Sequence, residues 1–334
     1  MSFSGVQYAD MGARIGVYAA AQFLVHAQPD LILERFAQSV SIPKNKSQVI
    51  KWRRLVPFDA AMDVLVEGIT PSPTGVRYED VQGQVQQYGS WIPFTDVLIE
   101  THEDENLKQF TIGAAEQAAL TKERILWNMM IAGVNVIYSG TATSRSDVIA
   151  PISAADLNLA QRALKNAFAK PITKMLNASP KIATQPVAPA YVAIGHTNLE
   201  QDLRAITGFV PRENYSEVKL LHDREIGKYQ DIRFVLAPHY TYFPGAGGTT
   251  TSGVLHDGTN VDVYPLVIFG QDAFGSVVLK GADSAKVAVK NPKMGESYED
   301  PLGQRGFVAW KTWYAGVRLN EAWVLRVESA VSAL

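Results

Sequence analysis

Apolar and small residues recur at spacings of three and four through Leu107, Phe110, Ala114, Ala118, Thr121, Ile125 and Met129, with no proline and only Gly113 before Gly133. That period predicts one long helix within residues 95–132, spanning about 101–133, and some 25 residues make a rod of roughly 38 Å. Thr101 or Asp104 is placed to cap it, and Glu103, Asp104 and Glu105 occupy the first turn, where the helix dipole favours negative charge. Upstream, residues 49–56 (VIKWRRLV) and 81–94 read as two strands around a turn-rich stretch, 67–75, with two prolines and two glycines. Such an extended hairpin has little core of its own and needs another surface to pack on.

Residues 1–45 alternate short helical patterns with polar breaks and read as an arm that lies on something else, ended by Pro43 and the Lys44-Asn45-Lys46 run. Ser153-Ala154-Ala155-Asp156 opens a second amphipathic helix that runs to Ala169. Strand patterns at 190–195, 232–237, 264–269 and 285–289 then mark an α/β module, interrupted by a glycine-rich insertion at about 244–258 expected as a mobile surface loop. Two closing strands are predicted at 307–319 and 322–327. In the first, Phe307, Ala309, Lys311, Trp313, Ala315, Val317 and Leu319 face one way, and Val308, Trp310, Thr312, Tyr314 and Arg318 the other. Both need a partner such as the long helix to cover one face.

The chain has 334 residues, 47% of them apolar and 19% charged, enough for a sizeable core in one large or two connected domains. A net charge of −2 argues against a protein built to neutralise phosphates, and the absence of cysteine removes disulfides, thiolate nucleophiles and cysteine metal sites. The most membrane-like run, residues 15–27, is interrupted by Gln22 and His26 and is too short to span a bilayer; it lacks the cationic lead of a signal peptide. No membrane association is expected.

Catalytic patterns are missing. The six histidines form no zinc-peptidase spacing, and His102 beside three acids is read as a charged helix start, since consecutive residues point to different faces. Gly245-Ala246-Gly247-Gly248 lacks the lysine and hydroxyl of a phosphate loop, 257–262 lacks the terminal glutamate of a calcium loop, and no Gly-x-Ser-x-Gly elbow occurs. Cations and rings alternate in Trp52-Arg53-Arg54 and in 305–318, as in single-strand-binding surfaces, but strand alternation explains them more simply. No catalytic residue, cofactor or metal is expected.

The order of parts, and Pro43-Lys44-Asn45, Lys51-Trp52-Arg53-Arg54, Leu65-Val66-Glu67-Gly68-Ile69-Thr70-Pro71, Gln87-Tyr88-Gly89, Thr95-Asp96, His102-Glu103-Asp104, Gln304-Arg305-Gly306-Phe307-Val308-Ala309-Trp310-Lys311 and Leu319-Asn320-Glu321, resemble the major capsid proteins of tailed bacteriophages, podovirus-type, with the Johnson (Hong Kong phage-type) fold. Within 155–290 the resemblance is in outline only. It implies an α+β subunit with an arm (1–45), an extended β-hairpin loop reaching over a neighbour (46–95), a peripheral domain (96–154 and 286–334) and an axial domain (155–285). Further implied are self-assembly as hexamers and pentamers into an icosahedral virion shell around non-specifically held double-stranded DNA, assembly in the host cytoplasm, and scaffold, portal and cement partners. Trp52, Arg53, Arg54, Glu67, Tyr88 and Trp91 are the subunit-contact candidates, and Trp52, Arg53, Arg54, Tyr88 and Trp91 are expected to gain burial or salt bridges only between subunits. Some relatives crosslink lysine to asparagine, for which Lys46 or Lys51 with Asn320 are the residues to suspect. An encapsulin-like compartment or an α/β enzyme built on 155–290 are the alternatives; the podovirus-type motifs argue against the first, and the second lacks any acid–base or nucleophile constellation.

Overall fold

The computed structural model describes residues 31–43, 45–62, 64, 67, 70, 73–101, 106–176, 184–215, 220–249, 253–279, 286–295 and 300–333. The arm before residue 31, much of the hairpin tip, the side chain of Thr101 and the His102–Glu105 cluster lie outside them. The long helix is present as α2 (Asn106–Ile131), 26 residues or about 39 Å, preceded by a short α1 (Asp96–Thr101).

A five-stranded sheet lies under α2. Its centre is β16 (Arg305–Arg318), long enough to pair with β4 (Gln86–Thr95) along one edge and successively with β15 (Lys286–Lys290) and β14 (Phe274–Leu279) along the other. The arm enters through a 3-10 turn at Leu33–Arg35 and adds β1 (Gln38–Ile42) parallel to β14. The predicted alternation on β16 holds. Val308, Trp310, Thr312 and Tyr314 are buried toward α2, where the Trp310 indole donates to Gln117 Oε1 at 2.8 Å, while Phe307, Ala309 and Lys311 are not.

A larger sheet orders β5 (Val136–Tyr138), β17 (Val324–Ser329), β13 (Tyr264–Phe269), β7 (Thr184–Gly195), β10 (Ile232–Leu236), β9 (Glu225–Tyr229) and β8 (Phe209–Pro211), with β6 (Ile172–Leu176) also on β7. The two predicted closing strands therefore part: β16 stays under α2, whereas β17 pairs with β13 of the α/β module. Helix α3 (Ala154–Asn166) packs on this sheet through Leu157, Ala160 and Leu164, and α4 (Glu200–Ala205) through Leu203. The start of α3 is a full capping box, Ser153 with Asp156, as its sequence indicates.

The front of α2 presses Leu107, Phe110, Ala114 and Ala118 on Phe94, Val308 and Trp310. Its rear is gripped from more sides, so Leu126, Trp127 and Met130 join a core shared with Ile32, Leu33, Val267 and Phe269. The buried seam consequently leaves the predicted Thr121–Ile125–Met129 line.

The run 81–94, expected as one strand, breaks at buried Val85, whose N–H donates to the Gln48 carbonyl. Its first part is β3 (Tyr78–Gln84), which forms a two-stranded ribbon with β2 (Val49–Leu55); its second part is β4. The glycine-rich insertion is anchored by Gly247 N–H to Val261 O (2.8 Å) and Gly248 N–H to Val148 O (3.0 Å), and ends in a small hairpin, β11 (His256–Asp257) with β12 (Asn260–Val261). A side chain at Gly247 would meet the Val148 and Val261 carbonyls at 2.6 and 2.8 Å, so the close approach demands glycine.

Candidate functional site

The ribbon β2–β3 rests by its root on the outer face of the five-stranded sheet. Ile50, Trp52 and Val81 pack with Val277, Ala315, Val317 and Leu319, so the ribbon covers the second half of β16 on the side away from α2. Among the described residues beyond the root, Val56 N–H donates to Arg77 O, and Leu55, Phe58, Val76 and Tyr78 are all exposed, with Met62 and Val64 85% and 89% so. Isolated apolar surface residues are ordinary; six gathered on one projecting segment mark a contact surface.

The other half of that outer face is bare of the ribbon, with Phe307 and Ala309 half-buried. Trp91 on β4 stands 63% exposed, edge-on to Phe307 with ring centroids 6.4 Å apart. Ala309 lies beside it in register, with Ala288 beyond. Arg305, Lys311 and Lys290 hold outward register positions around this apolar patch.

Two corrections concern the charged and aromatic candidates. Arg53 and Arg54, expected to find partners only between subunits, are paired across the ribbon. Arg53 makes a two-pronged bond to Asp80 (2.8 and 3.0 Å) and Arg54 Nε donates to Glu79 at 2.7 Å, because the register sets these residues directly opposite each other. The bonds from Arg53, with Lys51 at 3.4 Å, hold the Asp80 carboxyl down at about 2 and raise the Arg53 guanidinium. Trp52 and Tyr88 likewise have cover within the chain, Trp52 in the ribbon root and Tyr88 against the α2 seam with its hydroxyl donating to Gln86 Oε1. Glu67 and Trp91 stay exposed, as do Arg53 and Arg54 for all their pairing across the ribbon.

Of the suspected crosslinking residues, Lys51 is held by Asp80, and Asn320 accepts the Ala322 N–H at 3.2 Å. Asn320 lines an open groove of about 630 Å³ between the ribbon root and the end of α3, together with Trp52, Leu55, Phe168 and Trp323. Phe168 is a surface feature the sequence reading missed. It stops α3 in the left-handed conformation (φ 53°), where glycine is usual, with its ring 87% exposed. Its signal was an aromatic at a helix terminus without a terminating glycine.

Among the described residues, no three His, Cys, Asp or Glu side chains are grouped to hold a metal, and no helix is long and apolar enough to cross a membrane. The buried acids serve structure: Glu328 is clamped by Arg145 at 2.7 and 2.8 Å, and Glu225 accepts from Tyr215 and the Leu221 N–H.

Three comparisons bear on this arrangement. The family model for phage capsid protein matches residues 78–327. No curated protein matches the sequence. Among solved structures, the chain is similar to the capsid of Ralstonia phage GP4 (TM-score 0.67, 11% identity, 99% of each chain covered) and to the head structure of Helicobacter pylori bacteriophage KHP40 (0.64, 11%, 95% of each). It is similar also to the cyanophage Pam1 capsid asymmetric unit (TM-score 0.63, 13% identity, 100% of each). The fold is thus that of tailed-phage capsid subunits, and the chain belongs to the phage capsid protein family, as a structural shell subunit of the virion and not an enzyme.

Proposed function

We propose that this major capsid subunit closes its shell by laying the tip of its β2–β3 ribbon on the bare half of a neighbour's five-stranded sheet, around Trp91, Phe307 and Ala309. The observation that carries this is the half-covered face. The subunit's own ribbon root covers one half through Ile50, Trp52 and Val81, while an apolar patch of similar character stays open. Charge supports the pairing: residues 56–77 carry Asp59, Asp63 and Glu67 against Arg77 alone, and basic Arg305, Lys311 and Lys290 surround the patch.

On this reading the contact repeats around rings of five and six to form the icosahedral head. The arm at 1–45, the extended loop at 46–95, the peripheral parts at 96–154 and 286–334 and the axial part at 155–285 are its working units. Scaffold, portal and cement proteins are the partner classes such a shell takes, assembled in the host cytoplasm. The enclosed double-stranded DNA is held non-specifically, in keeping with a net charge of −2.

Deletion of residues 67–75 tests the ribbon's role. The variant should be a soluble, folded subunit that sediments slowly and yields no particles by electron microscopy. Particles formed at the wild-type yield would refute the role.

A further inference from the structure

Glu123 sits in the rear half of α2, 1% exposed. Its Oε1 accepts three hydrogen bonds from two other parts of the chain. The N–H groups of Ile32 (3.1 Å) and Leu33 (2.9 Å) come from the end of the arm, and the Tyr240 hydroxyl (2.6 Å) comes from the segment after β10. One turn further along, the Trp127 indole donates to Thr241 at 3.1 Å and its ring lies 4.4 Å from that of Tyr240. One helix face therefore grips the incoming arm and the 240–241 segment at a single carboxylate.

Both gripped segments lead outward. The arm continues into β1, parallel to β14 at the sheet edge. The other segment runs on to Tyr242, stacked on Tyr264 at 4.5 Å, and to Phe243, bridged to Val263, at the mouth of the glycine-rich insertion. We propose that Glu123 is a two-sided latch, whose shared carboxylate couples docking of arm residues 31–36 to the seating of residues 240–243, so that the two are held or released together.

The physical basis is the charge on the acceptor. Burial pushes the Glu123 carboxyl up from its ordinary range, the Tyr240 hydroxyl and the two arm N–H groups push it back, and nearby Glu34 adds to the upward push. Among the described residues, the other titratable groups nearby are Tyr314 on β16, with Lys122 of α2 over its ring, and His239 beside Tyr240. Removing one donor tips the carboxyl toward its neutral form, and a neutral acceptor bonds the remaining donors about half as strongly. Loss of the Tyr240 hydroxyl is thereby felt at the arm.

The test is hydrogen exchange by mass spectrometry on the full chain, with Tyr240→Phe and Glu123→Gln. Tyr240→Phe keeps the ring in place. It should raise exchange of the 31–36 amides by about tenfold, with the ribbon peptides 49–55 and 78–84 unchanged. Glu123→Gln keeps the shape and removes the charge; it should loosen 31–36 and 237–243 together. Unchanged arm exchange in Tyr240→Phe, or loosening of only one segment in Glu123→Gln, would overturn the coupling.

Discussion

Consider the replacement of Trp91 by alanine. An aromatic side chain buries roughly 150–250 Å² when fully covered. With Trp91 63% exposed in the subunit, about 150 Å² remains for a neighbour to cover. At about 25 cal/mol per Å², less what an alanine methyl retains, that is about 3 kcal/mol per contact, or about a hundredfold in association. Within the subunit the indole gives up its edge contact with Phe307 and the remaining third of its area, about 90 Å² or about 2 kcal/mol on the same scale, which lowers Tm by roughly 5 °C. The two effects are separable by measuring thermal unfolding of the free subunit and, by light scattering with sedimentation, the threshold concentration for particle growth. The threshold should rise by about two orders of magnitude while Tm falls by only those few degrees and the subunit stays folded at the assembly temperature. An unchanged threshold would show that Trp91 faces solvent in the shell and would remove the docking patch. A fall in Tm large enough to account for lost assembly would make Trp91 a folding residue instead.

Two further predictions concern single residues. The Asp80 carboxyl is depressed, so its pairing with Arg53 is complete above the ordinary carboxylate range and is lost only as pH falls through about 2; a carbon-13 titration should leave the ribbon pairing intact at about pH 4, and a midpoint near the ordinary value would contradict the geometry. Ser153→Ala removes a capping box in which Ser153 Oγ lies 2.8 Å from Asp156 Oδ2, and should cost about 1 kcal/mol in denaturant unfolding, with Ser153→Thr recovering most of it.

What could be read in advance was whatever local periodicity encodes. The α2 repeat, the Ser153 capping signal and the two-faced β16 each depend on residues within a few positions of one another, and all three appear in the structure. What stayed hidden depends on register between distant segments. Nothing near Arg53 or Arg54 in sequence indicates that Asp80 and Glu79 stand opposite, because that follows from a ribbon closed by a turn of more than twenty residues. The break at Val85 was concealed for the same reason: both sides of it are strand, and only the change of partner from β2 to β16 separates them. Glu123 reads as one more polar residue on a helix, yet its donors lie 90, 91 and 117 positions away. The assembly surfaces were legible in outline, since an unsupported hairpin implied a second surface, but the bare patch around Trp91 emerges only once the subunit's own ribbon is seen to cover half of the sheet.

The two surfaces that meet in the proposed contact are different patches of one chain, an acidic apolar tip and a basic-rimmed apolar sheet face. Repeated head to tail, such a contact is heterologous and ends where its rotation closes a ring. Rings of five and six differ by about 12° of rotation per subunit, and a rigid heterologous joint would permit only one of them. The ribbon supplies the needed compliance. It is fixed at its root by Ile50, Trp52 and Val81, and among the described residues beyond Leu55 and Tyr78 the Val56 to Arg77 hydrogen bond carries the chain outward while Phe58, Met62, Val64 and Val76 stay exposed. A lever anchored at one end can swing its tip through a small angle without disturbing the core under α2. On the proposed contact, the same exposure of the ribbon beyond its root would let one sequence occupy both kinds of ring.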